Sequence, residues 1–402
     1  MKSCLLALFI TSLFASCASA DDGSVLKVAV LTDMSGIYSD NSGRGSVRAA
    51  QMAIDDVGGR VGGRNIVLVF ADHQNKPDVA LEIARRWFDE ENVDIIVDIP
   101  TSSIALAVQR LAQERNKIII ISGSASSQIT NESCTPYGYH WNYDTYQVSK
   151  VVTEEVARRG ARTWFFITVD YSFGHALERD ATEMIQRQGG RVVGVVRHPL
   201  GTTDYSSFLL AAVGSGADVI AFANAGVDFR LSIKQAAEFG IEKKFSWVVS
   251  LGATMLDFWS LGDTAPENVI TTEGFYWNHD DRTRAFSERF KRGWATQPTS
   301  IHASVYSSLL HYFRAVDRSN TTDAQLVDRA MRELPVEDAF ARRGFIREDG
   351  RMVHDVLLLR SVRPAKTRES WDVYDVVGEI SGVDGVRPAS ISACSLLRQK
   401  PQ

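Results

Sequence analysis

The sequence predicts an α/β protein made of two lobes, each built as a doubly wound parallel sheet. From residue 25 to residue 249, short apolar runs alternate with segments in which apolar residues follow helical spacing. The alternation is interrupted near residue 137 and then starts again, which indicates two βα series. Of the 402 residues, 45% are hydrophobic and 23% are charged, as in a globular protein long enough for more than one domain.

The first series begins with VLKVAVL, a β-branched apolar run that is typical of a buried strand. Because helices cover both faces of a parallel sheet, such strands are apolar throughout. Strands are predicted at residues 25–31, 66–70, 93–99 and 118–121, and helices at residues 46–57, 79–88 and 104–111.

The second series repeats this architecture. Gly160, Gly189 and Gly240 each follow a helical segment, at the position where glycine commonly ends a helix. Helices are predicted at residues 145–159, 177–188, 208–213 and 231–239, and strands at residues 164–169, 192–196, 219–223 and 245–249.

The last third of the chain has a different order. A strand at residues 269–277 is followed by helices at residues 284–294, 305–316 and 324–334, and then by strands at residues 353–359 and 373–380. The helices could pack on the first lobe while the late strands return to the second. Sequence alone leaves this crossing open.

The first twenty residues have the layout of a secretory signal peptide. Lys2 supplies a positive charge, Leu5–Phe14 form a short apolar run, and Ala18-Ser19-Ala20 is a cleavage signal. The run is shorter than the roughly 20 residues that span a bilayer. We therefore expect export, with a lipid anchor on Cys17 as the alternative.

Cleavage after residue 20 leaves two of the four cysteines, Cys134 and Cys394. An even pair in an oxidising compartment predicts one disulfide. Two separate buried thiols are the alternative.

Charge and motifs argue against several functions. With 44 basic and 49 acidic residues the net charge is −5, so the chain has no overall attraction to nucleic acid. It contains no G-x-S-x-G, Walker A or H-E-x-x-H motif. Gly43-Arg44-Gly45 is a poor dinucleotide fingerprint, because Arg48 stands where the third glycine is needed. We expect no catalysis, no cofactor and no metal ion.

Two clusters of hydroxyl side chains follow predicted strands. Thr101-Ser102-Ser103 comes after strand 93–99, and the loop Ser122–Ser127 comes after strand 118–121. Ligands bind at the carboxyl ends of parallel strands, where hydroxyls and backbone N–H groups can hold a carboxylate. Helix capping is the alternative role for these residues.

Three aromatic segments also stand at such positions. Tyr137–Asp144 joins the two series, Tyr171–Gly174 follows strand 164–169, and Phe275–Trp277 comes at the end of a later strand. Aromatic residues there either line an apolar pocket or pack between domains. Phe173 and Tyr276 are therefore candidate pocket residues.

The motifs come in the order export signal, VLKVAVLTDMSG, glycine loop, PTSSIALAVQ, SGSASS and DYSFGHAL. In this order they resemble the branched-chain amino-acid type of solute-binding proteins of ABC importers, the Leu/Ile/Val-binding family. The resemblance implies a type I periplasmic binding protein fold, in which two lobes joined by three hinge crossovers close on a ligand. It implies a signal peptide at 1–20, a first lobe at 24–143 and 274–352, and a second lobe at 144–273 and 353–402.

The resemblance also implies roles for individual residues. Ser102 matches the serine that holds the ligand carboxylate, and Asn41 falls near the first-lobe loop over the ligand. Either Tyr171 or Phe173 matches the aromatic residue of the second lobe. The loop that donates further hydrogen bonds is matched by Ser124, Ala125 and Ser126.

One stretch departs from the family pattern. Amino-acid binders place an acidic residue for the ligand α-ammonium after the strand that ends here at Val249, but this chain has Ser250-Leu251-Gly252. A buried ammonium without an acceptor is costly. Asp228, in the loop that begins at Asn224, could substitute. Otherwise the expected ligand is a carboxylate without an α-amine, such as an aromatic or branched organic acid.

The resemblance implies that the protein is a periplasmic monomer. Its implied function is to capture a small solute and deliver it to the permease and ATPase complex of an ABC importer. A ligand-sensing domain of a receptor or regulator is one alternative. An exported hydrolase that uses the cleft is another, but it needs an activated nucleophile or a metal set, and the sequence shows neither.

Overall fold

The computed structural model describes residues 25–363, 367 and 369–398. The predicted signal peptide and Cys17 lie outside the described residues. The signal peptide and the alternative lipid anchor on Cys17 therefore stay predictions. Among the described helices, none is long and apolar enough to cross a membrane.

Six strands form the first sheet: β1 (Val25–Thr32), β2 (Arg60–Val61), β3 (Arg64–Asp72), β4 (Ile95–Asp98), β5 (Ile118–Ile121) and β6 (Gly138–His140). Their order across the sheet is β2-β3-β1-β4-β5-β6, and all neighbours are parallel except β2 and β3. All four isoleucines of β5 are buried, as expected for a strand covered on both faces.

Three helices alternate with these strands: α1 (Gly43–Asp56), α2 (Pro77–Asp89) and α3 (Ser102–Glu114). Pro77 stands at the first position of α2, where its fixed φ suits the helix and its missing N–H costs nothing. Because α1 and α3 follow β1 and β4, both helices begin at the carboxyl edge of the sheet.

The second lobe repeats the βα pattern. Its elements are α4 (Thr145–Arg158), β7 (Thr163–Val169), α5 (Ser172–Arg187), β8 (Arg191–His198), α6 (Ser206–Gly214), β9 (Val219–Ala223), α7 (Gly226–Glu238), β10 (Trp247–Ser250), α8 (Met255–Leu261) and β11 (Ile270–Glu273).

The chain then returns to the first lobe. It forms helices α9 (Asp281–Lys291), α10 (Ser300–Ser319) and α11 (Ala324–Glu333) and a short hairpin of β12 (Phe345–Ile346) and β13 (Met352–Val353). Helix α10 packs along α1. Arg48 of α1 also donates to the carbonyl oxygen of Phe290 in α9, at 2.6 Å.

The last strands complete the second sheet. They are β14 (Val356–Ser361) and β15 (Tyr374–Ile380), followed by the short helix α12 (Gly382–Gly385). The order across this sheet is β15-β14-β11-β10-β9-β7-β8, with β14 antiparallel to both neighbours.

The chain therefore passes between the sheets three times: between β6 and α4, between β11 and α9, and between β13 and β14. The buried Arg351 joins the first and third passages. It donates to the carbonyl oxygen of His140 at 2.9 Å and to Gln147 at 2.8 Å, and it pairs with Asp144 at 3.3 Å. The residue boundaries predicted for the two lobes stay a prediction.

Some predicted elements differ from those observed. The strand predicted at 269–277 ends at Glu273, where the chain leaves the second sheet. The strand predicted at 353–359 is divided between β13 and β14, because the third passage lies between them. β6 has three residues and α8 has seven, which is too short for a clear periodic pattern, and neither was predicted.

The predicted disulfide between Cys134 and Cys394 is confirmed, with the two Cα atoms 5.7 Å apart. It fastens the chain segment that follows the second sheet to a loop of the first lobe. Asn131 in that loop accepts hydrogen bonds from the Ala393 N–H at 2.6 Å and the Ser392 hydroxyl at 3.2 Å.

We expect the double variant Cys134→Ser with Cys394→Ser to lose about 5 kcal/mol of unfolding free energy, because the disulfide closes a loop over a separation of 260 residues. Urea denaturation of residues 21–402 measures the loss. As a control, the same wild-type segment denatured without reductant should show no titratable thiol. An unchanged midpoint in the variant, or two free thiols in the control, would contradict this.

Candidate ligand-binding cleft

A cavity lies between the two lobes. None of the described residues that line it carries a charge, and several are aromatic. The lining residues are Tyr38, Asn41, Pro100, Gly123, Ala125 and Ile301 on the side of the first lobe, Tyr143 on the first passage, and Tyr171, Phe173, Ala225, Gly252 and Thr254 on the side of the second lobe.

Four helices begin at this cavity. Pro100 lies just before α3, and Tyr171, Ala225 and Thr254 are the N-cap residues of α5, α7 and α8. The N-cap side chains of α3, α5 and α7 accept no hydrogen bond from their helices. The backbone N–H groups and dipoles at these starts favour a negatively charged group in the cavity.

Ser102, the first residue of α3, is buried. Its Oγ has no hydrogen-bond partner within the part of the chain that the structure describes. Since a buried hydroxyl without a partner costs free energy, a ligand atom would satisfy it. Ser102 does not itself line the cavity, but it lies two residues beyond Pro100, which does.

The predicted serine loop contributes mainly backbone and Ala125 to the cavity. The Ser124 hydroxyl donates to the carbonyl oxygen of Ile99 at 2.6 Å, and the Ser126 hydroxyl accepts from the Gln128 N–H at 3.4 Å. Both hydroxyls are thus engaged within the first lobe, where they hold the loop in place.

The second lobe brings both of its candidate aromatic residues to the wall. Tyr171 and Phe173 line the cavity together, with ring centroids 6.1 Å apart. The structure therefore does not require a choice between them. Asn41 lines the opposite side.

Asn224 and Asp228 lie behind the wall of the second lobe and not on it. The Asn224 amide contacts His198 and Ser232, each at 3.1 Å. The Asp228 carboxylate accepts the Gly201 N–H at 3.1 Å, and burial raises its pKa to about 6.

Tyr276 and Ser103 lie at other places. Tyr276 lines a separate cavity, and its hydroxyl donates to Asp372 at 2.6 Å. It does not line the cleft, and it follows the point at which the chain leaves the second sheet, Glu273. Ser103 lines a groove between α2, α3 and residues 132–135.

Residues 37–41 of the first lobe contact the second lobe across the cleft. The hydroxyls of Tyr38 and Tyr171 lie 2.5 Å apart, and the Thr254 hydroxyl donates to Asn41 Oδ1 at 3.2 Å. Arg230 of α7 donates to Asp40 at 2.9 Å. The lobes are therefore closed over the cavity.

The backbone before α3 is strained where it approaches the cavity. Asp98 and Ile99 have φ values of 84° and 54°. Ile99 is β-branched, and such residues rarely adopt a positive φ. Burial raises the pKa of Asp98 to about 6, and its carboxyl accepts the Ser42 hydroxyl at 2.5 Å. This arrangement turns the chain so that Pro100 forms part of the wall.

Sequence reasoning missed Tyr38 and Thr254 as wall residues. Tyr38 lies in the loop before α1, where no local pattern marks it. Thr254 with Asp257 forms the capping box of α8, and this T-x-x-D spacing was a usable signal for a helix start at the cleft. No group of three or more His, Cys, Asp or Glu side chains in the described residues is arranged to hold a metal ion.

Comparison with known proteins identifies the family. The sequence model of the family described as periplasmic binding protein matches residues 25–367. The chain belongs to this family. Periplasmic binding proteins bind solutes and are not a family of enzymes.

Solved and curated relatives agree with this membership. A periplasmic binding protein from Burkholderia mallei is 38% identical, covering 93% of this chain and 99% of that one, with a TM-score of 0.90. A branched chain amino acid ABC transporter periplasmic ligand-binding protein from Burkholderia xenovorans LB400 is 38% identical, covering 92% and 100%, with a TM-score of 0.84. The Leu/Ile/Val-binding protein homolog 6 of Brucella melitensis is 26% identical over 296 residues, 72% of this chain and 74% of that protein.

These likenesses confirm two predictions made from the sequence. The chain is a periplasmic binding protein of the Leu/Ile/Val-binding type, and its two parallel-sheet lobes form the type I periplasmic binding protein fold.

One glycine of this periplasmic binding protein permits the close contact between the lobes. Gly226 has a φ of +59°, and a Cβ atom there would lie 2.6 Å from the carbonyl oxygen of Ile37 in the first lobe. A side chain at this position would therefore press against the first lobe only when the lobes are closed.

We expect Gly226→Ala to shift the ligand-free protein toward an open form, because the added methyl group clashes with Ile37. Small-angle scattering should report a larger radius of gyration. Gly240→Ala is the matched control, since Gly240 has a φ of +65° but a Cβ atom there would have nothing within 4 Å. Equal radii for the two variants would contradict the role of Gly226.

Proposed function

We propose that this protein captures a small carboxylate-bearing solute between its lobes and delivers it to the permease and ATPase of an ABC importer. The observation that carries the proposal is that α3, α5 and α7 begin, without side-chain caps, around an aromatic cavity. Helix starts favour a carboxylate, and aromatic rings favour an apolar body. The relative from Burkholderia xenovorans, described as an ABC transporter ligand-binding protein, supports the same function.

In this proposal the first lobe holds the head group of the solute. The Ser102 hydroxyl donates a hydrogen bond to the carboxylate, and the backbone N–H groups of the loop at residues 124–126 donate further hydrogen bonds. Tyr171 and Phe173 close on the apolar body from the second lobe, while Asn41 covers it. Because these contacts come from both lobes, the solute stabilises the closed form over the open form.

The neutral wall favours a solute without an ammonium group. No described residue that lines the cavity has a carboxylate side chain, and Asp228, which accepts the Gly201 N–H, lies behind the wall. A buried ammonium would lack a charged partner, at a cost in free energy. We infer an aromatic or branched organic acid in preference to an amino acid.

The protein is proposed to act in the periplasm as a monomer, after export by the signal peptide at residues 1–20. The disulfide suits such an oxidising compartment. In this proposal only the closed form presents both lobes correctly to the permease.

We expect Ser102→Ala to weaken binding of the solute by about 1–3 kcal/mol, because a charged acceptor loses its donor. Calorimetry with a solute found by a thermal-shift screen measures the change. Ser103→Ala is the matched control, since Ser103 lies in the outer groove. If Ser102→Ala reduces the binding free energy by less than about 0.3 kcal/mol, Ser102 does not contact the solute.

The wild-type protein is expected to bind deaminated acids more tightly than the matching amino acids. Calorimetric titration should compare leucine and valine with their 2-oxo acids. The reason is the absence of a carboxylate from the described wall of the cavity. Tight binding of leucine or valine with none of the 2-oxo acids would contradict this solute class.

A further inference from the structure

Two buried carboxyl groups lie directly behind the wall of the cavity. Asp257, in the first turn of α8, accepts hydrogen bonds from the Thr254 N–H at 2.9 Å and from the Asn41 amide at 3.4 Å. Glu273, at the end of β11, accepts the Met255 N–H at 2.6 Å. Thr254 and Asn41 line the cavity and both contact Asp257. A negative charge on Asp257 would therefore be separated from a solute in the cavity by a single layer of residues.

The two carboxyl groups differ in how their negative charge is avoided or balanced. Burial raises the pKa of Glu273 to about 8, so this group is protonated at neutral pH. Burial also raises the pKa of Asp257, but the guanidinium of Arg230 opposes that shift. Arg230 approaches Asp257 Oδ1 to 3.5 Å, with 15% of its side chain exposed.

Arg230 also pairs with Asp40, but the two partners differ in what they require. The Asp40 side chain is 60% exposed and water solvates it, whereas Asp257 is fully buried. A buried carboxylate without a cation is far more costly than an exposed one. The positive charge of Arg230 therefore stabilises the Asp257 carboxylate more than the Asp40 carboxylate.

We propose that Arg230 determines the charge selectivity of the cavity. By balancing Asp257, it leaves the wall neutral, so that a carboxylate is accepted and an ammonium group finds no charged partner. This inference rests on the proposed function and adds to it the residue that sets the solute class. Arg230 acts through Asp257, as a positioning residue without contact to the solute.

The other groups that face Asp257 do not replace Arg230. Tyr143 lies on the first passage and Tyr374 on β15, and burial and the nearby carboxyl groups raise the pKa of both phenols. They are neutral at physiological pH, as is Glu273. Apart from Asp40 on the far side of Arg230, the described groups around this carboxylate offer one cation and no further anion.

The first test compares solute binding by the wild type, Arg230→Met, and Arg230→Met with Asp257→Asn. The probes are benzoate, 4-methyl-2-oxopentanoate and L-leucine, titrated in a calorimeter. We expect Arg230→Met to weaken binding of the acids increasingly as pH rises, by about tenfold or more once Asp257 is ionised, because an unbalanced anion then lies behind the wall. The second substitution removes that anion and should restore affinity to within about threefold of wild type.

Arg318→Met is the matched control for the loss of one positive charge. Arg318 pairs with Glu333 at the surface, where the two side chains are 55% and 50% exposed. Equal affinities in the wild type and Arg230→Met, or no recovery in the double variant, would overturn the role of Arg230. Wild-type binding of leucine as tight as that of the acids would overturn the selectivity itself.

The second test needs no solute. In Arg230→Met the folded-state pKa of Asp257 rises further above its unfolded value, so the unfolding free energy should fall as pH increases from about 5 to about 8. The wild type and the double variant should show a weaker dependence. If Arg230→Met follows the wild-type curve, Arg230 does not balance Asp257. If this test succeeds and no probe binds the wild type, the pairing stands and the proposed solute class fails.

Discussion

In a parallel sheet every strand ends at the same edge, and the helix that follows each strand begins there. Both lobes obey this constraint, and the chain sets their carboxyl edges face to face. The starts of α3, α5, α7 and α8 therefore surround one cavity, while the uninterrupted apolar strands behind them supply rigidity. The cavity and the contacts between the lobes both follow from this placement, because neither lobe alone encloses the space.

Most of the fold could be predicted because its strands are fully covered. Strands such as β5 and β9 are apolar along their whole length, so only a buried parallel strand suits them. Local patterns do not extend far enough to assign the late helices to the first lobe or β14 and β15 to the second sheet. That assignment depends on packing between segments far apart in the sequence, and it came only from the family resemblance.

The site was predicted less completely for the same reason. Asn41, Ala125, Tyr171 and Phe173 line the cavity. The first two lie in loops that follow strands, whereas Tyr171 and Phe173 lie at the start of α5. Tyr38 meets Tyr171 over a separation of 133 residues, a pairing that closure of the lobes creates and that no local pattern records. The charge balance behind the wall likewise depends on three elements brought together by folding.

The disulfide gives the molecule an unusual topology. Cys134 precedes the first passage between the lobes and Cys394 follows the third, so the bond makes one covalent ring that contains all three passages. A protease that cuts a single passage opens this ring but releases no fragment, since the two ends stay linked through sulfur. Survival of the two-lobed body after such damage then depends on the redox state of its surroundings and not on any one connecting strand.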